Sequence, residues 1–422
     1  MVFLGAPATT PAFIFLALLL AAAVTASPGA RLGSAPPAPA PRRPVPPAAA
    51  AAAPAAPPAP RGNATTSPPR RSSAPAAAAT RAPRAPAPLP PPRREKIIFA
   101  EEFNKLDPAV WSHLVTAWRG GNQEFQYYRN DRRNSYVRGG VLYLRPTLTA
   151  REYGDAFLYS GKMYYADCNF EPCVSASGAD IVLPIQSARI HTSGAFSFRY
   201  GRLEVRAKLP RGDWIWPAIW LKPASNAYGP WPASGEMDLV ESRGNANLKQ
   251  ISTGEPLGVQ KVGATLHFGP NSSYNIWRLT HWEKILERGD FADDFHVFGM
   301  EWSSVGFRFT VDNEEIGRMA PPRGGFWDLG GFDSDPGGPN IWANGTQLAP
   351  FDRKFYIILN VAVGGTFFPG GMINSPYPRP WNWTSGHPLR EFWEHRAWWL
   401  PTWKGEHAAM QVDYVRVYQT VT

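Results

Sequence analysis

The chain has 422 residues, of which 44% are hydrophobic and 13% aromatic, so it can bury a substantial core and whole-chain disorder is excluded. The excess of positive charge lies in the first 94 residues, which hold ten Arg and no Lys, Asp or Glu. The remaining residues carry 33 basic and 34 acidic side chains, which excludes the strongly basic body typical of a nucleic-acid-binding protein.

Residues 1–26 are predicted to be a secretory signal peptide. The run Ala12–Val24 is apolar and uncharged, and it is too short to span a bilayer comfortably. Small residues before a cleavage point after Ala26 support this prediction, although no Lys or Arg precedes the apolar run. An uncleaved membrane anchor is the alternative. We therefore expect a secreted, extracellular protein.

Residues 27–94 form a Pro/Ala/Arg-rich segment that contains 21 of the 45 prolines. Such a composition cannot bury a core and favours extended polyproline-like conformations, so the segment is predicted to be a disordered linker. The alternatives are a stalk that carries O-glycans or one that rests on an acidic surface. Residues 95–422 are predicted to be a single domain, because they show no internal repeat and no second linker.

Cys168 and Cys173 are the only cysteines, and in a secreted chain they are expected to form a disulfide that closes one loop. A zinc site would need more ligands at metal-binding spacing than the sequence offers. Four N-glycosylation sequons, which also agree with secretion, begin at Asn63, Asn271, Asn344 and Asn382.

Alternation with a period of two residues dominates the domain. Ala195–Leu209 alternates with a change of parity at Gly201, which predicts two strands joined by a turn or bulge. The best candidate for a short helix is Thr280–Arg288. Many strands separated by Gly, Pro and Asn predict an all-β fold, either an antiparallel sandwich or a closed barrel. Further predicted strands are Phe307–Val311 with a turn after it, Phe355–Val363 buried on both faces, and Met410–Tyr418.

Three carboxylates lie within the segment Gly235–Glu241, interleaved with strand-forming apolar residues. On a regular strand Glu236 and Asp238 share a face, whereas Glu241 falls on the other, and a β-bulge that absorbs one residue would return Glu241 to the face of Glu236. Two such carboxylates can work across a bound sugar, and retaining glycosidases hold theirs about 5–5.5 Å apart. Crowding raises at least one pKa, which leaves an acid able to donate near neutral pH. A calcium site or a solvated edge strand is the alternative.

Tryptophans surround this acidic segment. Trp231 lies five residues before Glu236, and Trp214, Trp216 and Trp220 lie further upstream. Aromatic faces stack on the apolar faces of sugar rings, but they pack equally well in cores. The Pro- and Gly-rich surroundings of Trp231 favour a role in a binding site, whereas Trp220 fits both interpretations.

Several motifs together closely resemble glycoside hydrolase family 16, and within it the β-1,3-glucanases (laminarinases) and the invertebrate β-1,3-glucan recognition proteins. The resemblance spans roughly residues 97–420. The motifs that carry it are Ser187–Pro210, Trp216–Trp220, Trp231–Glu241 and Leu359–Gly365, with Asn122–Tyr128 near the start and Val412–Tyr418 near the end.

The resemblance implies a concanavalin A-like β-jelly-roll sandwich with an open cleft across its concave sheet, and hydrolysis with retention through a glycosyl-enzyme. It implies that Glu236 is the nucleophile, Glu241 the general acid/base, and Asp238 the aspartate that hydrogen-bonds the nucleophile. Trp231 matches a sugar-stacking platform. The other matching cleft residues are Asn122, Arg189, Trp216 and His267, the last of which could instead be a core histidine.

The sequence departs from the family pattern after the late Gly-Gly pair, where family members often have tryptophan and this chain has Phe367 and Phe368. No cofactor is implied by the resemblance. Some family members bind a structural calcium near the ends of the domain, and Asp413 with Glu102 or with the Gly139-Gly140 turn could provide such a site here.

The sequence therefore predicts a secreted, monomeric endo-β-1,3-glucanase that acts on β-1,3-glucan, with membrane association only if the N-terminal segment stays uncleaved. One alternative is a non-hydrolytic glucan-binding recognition protein. Such relatives typically lose one or both catalytic carboxylates, and this chain keeps Glu236, Asp238 and Glu241, which favours the enzyme. The other alternative is a family relative that acts on another polysaccharide or by transglycosylation. The Cys168–Cys173 loop and Trp231 favour β-1,3-glucan.

Overall fold

A computed structural model describes residues 95–334 and 338–420. The predicted signal peptide, the predicted linker and the sequon at Asn63 lie outside these residues. Strands dominate the described part of the chain, and its α-helices are all short.

Two large antiparallel sheets form the body of the domain. The eight-stranded sheet follows the spatial order β19 (Glu314–Met319), β18 (Gly306–Val311), β17 (His296–Ser303), β11 (Gly201–Lys208), β22 (Met410–Thr420), β5 (Val141–Leu144) and β4 (Ser135–Arg138), with β1 (Glu95–Glu101) paired to β22. The seven-stranded sheet follows the order β16 (His281–Ile285), β15 (Lys261–His267), β13 (Glu236–Ser242), β12 (Ile215–Pro223), β20 (Phe355–Val363), β10 (Arg189–His191) and β2 (Ser112–His113).

Smaller elements pack around these two sheets. The short strands form three small sheets, namely β3 (Gln126–Tyr128), β9 (Ile185–Ser187) and β6 (Thr147–Leu148); β7 (Lys162–Tyr164) and β8 (Val174–Ala176); and β14 (Lys249–Gln250) and β21 (Met372–Ile373). The helices are α1 (Ala150–Tyr153), α2 (Asp155–Ser160), α3 (Gly325–Gly330), α4 (Pro388–Glu394) and α5 (Arg396–Trp399), and 3-10 turns cover Ser272–Tyr274, Trp277–Thr280, Leu400–Thr402 and Gly405–Ala408.

The main core lies between the two large sheets. Leu203 and Val205 of β11 are fully buried there together with Ile219 of β12 and Leu359 of β20. Side chains of alternate residues point to opposite faces of a strand, so the second face of each sheet points away from this core. The predicted all-β sandwich is therefore confirmed, and the closed barrel is set aside.

The three strands predicted around Phe307, Phe355 and Met410 are confirmed as β18, β20 and β22. The turn predicted after β18 is also present, because Asp312 and Asn313 have φ angles of 50° and 67° and connect β18 to β19. Two consecutive residues with positive φ match the tight turn of a β-hairpin.

Only the second of the two strands predicted within Ala195–Leu209 forms. β11 begins at Gly201, where an added Cβ would lie 2.5 Å from the carbonyl oxygen of Tyr418, so only glycine fits. Before it, the backbone N–H groups of Ala195 and Phe196 donate to the carbonyl of Thr192, which makes a turn. The alternating apolar residues of this segment pack against the core without pairing as a strand.

The helix predicted over Thr280–Arg288 is wrong. His281–Ile285 is strand β16, which pairs with β15 at the edge of the seven-stranded sheet. Trp282 packs with its ring centroid 5.3 Å from that of Phe309 in the other sheet. The gain from edge pairing and from this contact outweighs a weak local helix preference.

Cys168 and Cys173 form the predicted disulfide. The closed loop is held against the preceding backbone, where the N–H of Ala117 donates to the carbonyl oxygen of Pro172 at 2.8 Å. Within residues 95–334 and 338–420, none of the helices has both the length and the apolar character needed to cross a bilayer. The sequon asparagines Asn271, Asn344 and Asn382 are exposed, and their glycosylation stays a prediction.

Candidate active site

A β-bulge in β13 places three carboxylates on one face of the seven-stranded sheet. The neighbouring residues Ile219 and Trp220 of β12 pair with Val240 and Asp238 of β13. Leu239 lies between these two paired residues of β13 and is therefore the extra residue of the bulge. Leu239 and Val240 are both buried in the core between the sheets. Glu241 therefore returns to the face of Glu236 and Asp238, which confirms the predicted bulge.

This face forms the floor of a cleft of about 1030 Å³. Glu236, Asp238 and Glu241 line it. The five predicted substrate-binding residues also line it, and they are Trp231, Trp216, Asn122, Arg189 and His267. The structure thus brings all eight predicted site residues into one cleft, although they come from widely separated parts of the chain.

His267 on β15 connects two of the carboxylates. Its Nε2 atom lies 3.1 Å from Asp238 Oδ2 and 4.0 Å from Glu236 Oε1, and the side-chain amide of Asn275 lies 2.8 Å from its Nδ1 atom. Burial acts to lower the pKa of His267, but the negative charge of Asp238 and Glu236 outweighs it and raises that pKa to about 9. His267 is therefore an imidazolium at neutral pH and faces the cleft, which sets aside its interpretation as a core histidine.

Burial gives the carboxylates unusual proton affinities. Burial and, second, the neighbouring Asp238 raise the pKa of Glu241 to about 7. Burial and the charge of Glu236 raise the pKa of Asp238 to about 6. Burial also raises the pKa of Glu236, while the cations His267 and Lys222 act against that shift. Glu241 thus keeps its proton up to near-neutral pH, and Glu236 faces two cations that favour its ionised form.

Glu241 is oriented by a tryptophan. The indole Nε1 of Trp216 on β12 donates a hydrogen bond to Glu241 Oε1 at 3.1 Å. The Trp216 ring stacks on Phe367, with centroids 4.3 Å apart and an interplanar angle of 8°. Phe367 is one of the two residues at which the sequence departs from the family pattern, and the structure places it in the wall of the cleft.

Another part of the lining is a hydrogen-bonded network around Trp220. The Arg189 guanidinium lies 4.5 Å from the centroid of the Trp220 ring, and Trp220 Nε1 donates to Asn360 Oδ1 at 2.6 Å. Asn360 Nδ2 in turn donates to the Tyr128 hydroxyl at 3.1 Å. Trp220 thus belongs to the lining of the cleft, one of the two interpretations that its sequence context allowed.

Sequence reasoning missed Glu124, a cleft residue that is 5% exposed. Gln126 Nε2 donates to Glu124 Oε2 at 2.5 Å, the Tyr128 hydroxyl lies 3.4 Å from the same oxygen, and burial raises the pKa of Glu124. Its position as an acid among apolar and aromatic residues in the Asn122–Tyr128 motif was the available signal. Other cleft residues that sequence reasoning did not single out are Trp118, Lys222, Arg243, Asn275 and Trp277.

The carboxylates considered for calcium are engaged elsewhere. Asp413 Oδ2 contacts Arg206 Nη1 at 2.6 Å, and both carboxylate oxygens of Glu102 accept from Arg416, at 2.7 and 2.8 Å. Both carboxylates thus form ion pairs with arginines. Calcium binding stays a prediction that these contacts do not support.

Comparisons with known proteins identify relatives of this chain. The family model for glycosyl hydrolases family 16 matches residues 166–324. The chain is 45% identical over 342 residues to the beta-1,3-glucan-binding protein of Penaeus monodon, covering 76% of this chain and 90% of the relative. It is 31% identical over 332 residues to the beta-1,3-glucan-binding protein of Tenebrio molitor, covering 76% of this chain but only 64% of that relative.

Two solved structures share the fold. The laminarinase from Rhodothermus marinus superposes with a TM-score of 0.50 at 26% identity, over 79% of this chain and 100% of that one. The endo-beta-1,3-glucanase from Pyrococcus furiosus gives a TM-score of 0.50 at 23% identity, over 78% and 96% of the two chains. Together with the two packed antiparallel sheets, these similarities confirm the predicted β-jelly-roll sandwich.

Proposed function

Because the chain belongs to glycoside hydrolase family 16, in the group of the β-1,3-glucanases and the invertebrate β-1,3-glucan-binding proteins, we propose that it is a secreted endo-hydrolase that cleaves β-1,3-glucosidic bonds with retention. The names of the relatives from Penaeus monodon and Tenebrio molitor refer to β-1,3-glucan binding, and the Rhodothermus marinus structure is a laminarinase. These names support β-1,3-glucan as the polysaccharide that the cleft binds.

The observation that carries the proposal is the presence of Glu236 and Glu241 on one face of β13, in one cleft, with the pKa of Glu241 raised to about 7 by burial and by Asp238. In the first step a carboxylate oxygen of Glu236 attacks the anomeric carbon while Glu241 gives its proton to the glycosidic oxygen. The glycosidic C–O bond breaks, the sugar on the reducing side departs, and a glycosyl ester forms on Glu236.

In the second step Glu241, now a carboxylate, removes a proton from water, and the water oxygen attacks the anomeric carbon. The ester bond to Glu236 breaks, and the β configuration is restored. The His267 imidazolium, which lies near both Asp238 and Glu236, stabilises negative charge on the nucleophile before attack and again after its release. No step needs a metal ion.

The second candidate function is glucan binding without hydrolysis, which the names of the relatives favour. Purified protein incubated with laminarin and with mixed-linkage β-glucan, followed by sizing of the products, separates the two functions. Release of short oligosaccharides with β-anomers formed first supports the retaining hydrolase. Binding of laminarin without any release supports the recognition protein, and preferential cleavage of the mixed-linkage glucan supports another polysaccharide as substrate.

The same hydrolysis experiment is repeated in the presence of the chelator EDTA. Glu236, Asp238 and His267 place ligand atoms within 4.8 Å of one another, a spacing that a metal ion could also use. Hydrolysis that is unchanged by EDTA is expected, because neither step of the proposed double displacement uses a metal ion. Loss of hydrolysis that returns with added metal would contradict the assignment of these residues.

The rate of laminarin hydrolysis is expected to fall as the pH rises through about 7. Burial raises the pKa of Glu241 to about 7, so the protonated form that must donate to the leaving sugar is lost above that pH. The measurement is the pH profile of kcat/KM on laminarin. The control is an aryl β-glucoside with a good leaving group, which needs little protonation and should show a weaker alkaline decline. A rate on laminarin that stays constant to pH 9 would exclude Glu241 as the acid.

Trp231→Ala is expected to weaken laminarin binding by about 1–3 kcal/mol, because Trp231 would stack on a sugar ring. Its side chain lines the cleft, is 40% exposed and lies with its ring centroid 5.8 Å from that of His267. Calorimetric titration with laminarin in an inactive background measures the effect. Trp398→Ala is the matched control, since Trp398 stacks on Tyr377 and does not line the cleft. Equal affinities of the two variants would make Trp231 a packing residue.

A further inference from the structure

Three stacked side chains stand beside Glu241 in the wall of the cleft. The Phe367 ring lies 4.3 Å from the Trp216 ring, centroid to centroid, and 3.9 Å from Cζ of the Arg243 guanidinium. Trp216 and Arg243 both lie so close to the Phe367 ring that they would clash if they were on the same face of it. The Phe367 ring is therefore held between them. All three line the cleft, and we call them the Trp216–Phe367–Arg243 stack.

Both ends of the stack are attached by hydrogen bonds. At one end Trp216 Nε1 donates to Glu241 Oε1 at 3.1 Å. At the other end Arg243 Nε and Nη2 both donate to the carbonyl oxygen of Phe367, at 3.0 and 2.8 Å. Arg243 thus holds the backbone of Phe367 with two N–H groups and its ring with the flat face of the guanidinium, a combination that lysine cannot reproduce.

The positive charge of Arg243 also reaches Glu241. The two residues are two positions apart near the end of β13, and the guanidinium favours the ionised form of Glu241. The other charged groups that act on Glu241 and Arg243 are Asp238 on β13, His267 on β15 and Glu283 on β16. Burial lowers the pKa of Arg243 to about 10, so it remains charged at neutral pH.

We propose that Arg243 is a positioning residue for the acid/base Glu241, which it orients through Phe367 and the indole N–H of Trp216. The inference rests on the proposed function, because it presupposes that Glu241 gives its proton to a leaving sugar. It also assigns a role to one of the two residues at which the sequence departs from the family pattern, since the Phe367 ring transmits the position of Arg243 to Trp216.

Three variants test the proposal by kinetics on two substrates. Arg243→Met is expected to lower kcat/KM on laminarin by about 10- to 100-fold, in line with the cost of misplacing a catalytic group. The loss on an aryl β-glucoside with a good leaving group should be about threefold or less, since that substrate needs little help from Glu241. Phe367→Leu removes the ring between Trp216 and Arg243. It should likewise lower kcat/KM much more on laminarin than on the aryl β-glucoside.

The pH profile separates the position of Arg243 from its charge. Arg243→Met removes a cation that lowers the pKa of Glu241, so the alkaline limb on laminarin should move to higher pH. Arg243→Lys keeps the positive charge but not the two hydrogen bonds to Phe367. The alkaline limb of its kcat/KM profile should therefore stay at the same pH, while the maximum value of kcat/KM falls. Arg206→Met is the control, because Arg206 covers Phe295 at 4.7 Å and pairs with Asp413 away from the cleft.

Thermal melting and laminarin binding establish that each variant is folded. Losses that are equal on the two substrates, or an unmoved alkaline limb in Arg243→Met, would reduce Arg243 to a structural role and overturn the proposal. If Arg243→Met fails to fold, Arg243→Lys and Phe367→Leu still give the split between substrates. Absence of hydrolysis by the unmodified protein would instead contradict the proposed function, so the two failures are distinguishable.

Discussion

Glu236→Gln is expected to abolish glucan hydrolysis and to leave glucan binding nearly unchanged. The substitution preserves the shape of the side chain but replaces the carboxylate oxygen that would attack the anomeric carbon with an amide, so no glycosyl ester forms. Removal of a nucleophile typically lowers kcat by about 10⁴-fold or more. Reducing-sugar release from laminarin and calorimetric titration with laminarin measure the two quantities.

Binding should survive because Glu236 is only one of many groups that line the cleft. The matched control is Glu301→Gln on β17 of the eight-stranded sheet, where Glu301 pairs with Arg308 at the surface at 2.6 Å. That variant should keep full activity. Turnover by Glu236→Gln at the unmodified rate would show that Glu236 is not the nucleophile, and loss of both binding and turnover would show that it mainly supports the cleft.

Glu241→Ala is expected to lower kcat/KM on laminarin by about 10²- to 10⁴-fold, which is the usual contribution of a general acid. On an aryl β-glucoside with a good leaving group, formation of the glycosyl ester needs no proton, so the loss in kcat/KM should be much smaller. The alkaline limb near pH 7 should disappear on both substrates, because the group whose pKa is about 7 has been removed.

Azide gives an independent test of the same variant. Without Glu241 no base activates water, so the ester on Glu236 accumulates, and the azide anion can attack the anomeric carbon without losing a proton. The expected product is a β-glycosyl azide, and its formation should raise the turnover of the aryl substrate. An α-glycosyl azide, or no response to azide together with equal losses on the two substrates, would contradict the assignment of Glu241 in a retaining mechanism.

Much of the site was predictable because its central feature is local. The spacing of Glu236, Asp238 and Glu241 conflicts with a regular strand, and a bulge is the simplest way to place all three carboxylates on one face. Apolar residues fill the positions between them, and Leu239 and Val240 occupy the core as that explanation requires. The strand pattern around Phe355 and the disulfide between Cys168 and Cys173 are local in the same sense.

The errors lie where local patterns and tertiary pairing disagree. Thr280–Arg288 has a short helical pattern, but most of it becomes the edge strand β16 because β15 offers it backbone partners. The alternating residues before Gly201 do not form a strand, since Phe198 makes only a single bridge to Phe355. Arg243 was missed because its contact Phe367 lies 124 residues away in the chain, whereas for Glu124 the nearby signal in the Asn122–Tyr128 motif was not used.

The sequence by itself determined the all-β class and the bulged acidic strand, because hydrophobic periodicity reports which face of a strand is buried. Asn122, Arg189, Trp216 and His267 were predicted to line the cleft only through the resemblance to glycoside hydrolase family 16. The tertiary structure alone decided which groups set the proton affinities of the carboxylates. His267 reaches Asp238 and Glu236 from β15, and Trp216 reaches Glu241 from β12. Charge interactions depend on distance in space and on burial, and neither quantity is encoded in the spacing of residues along one strand.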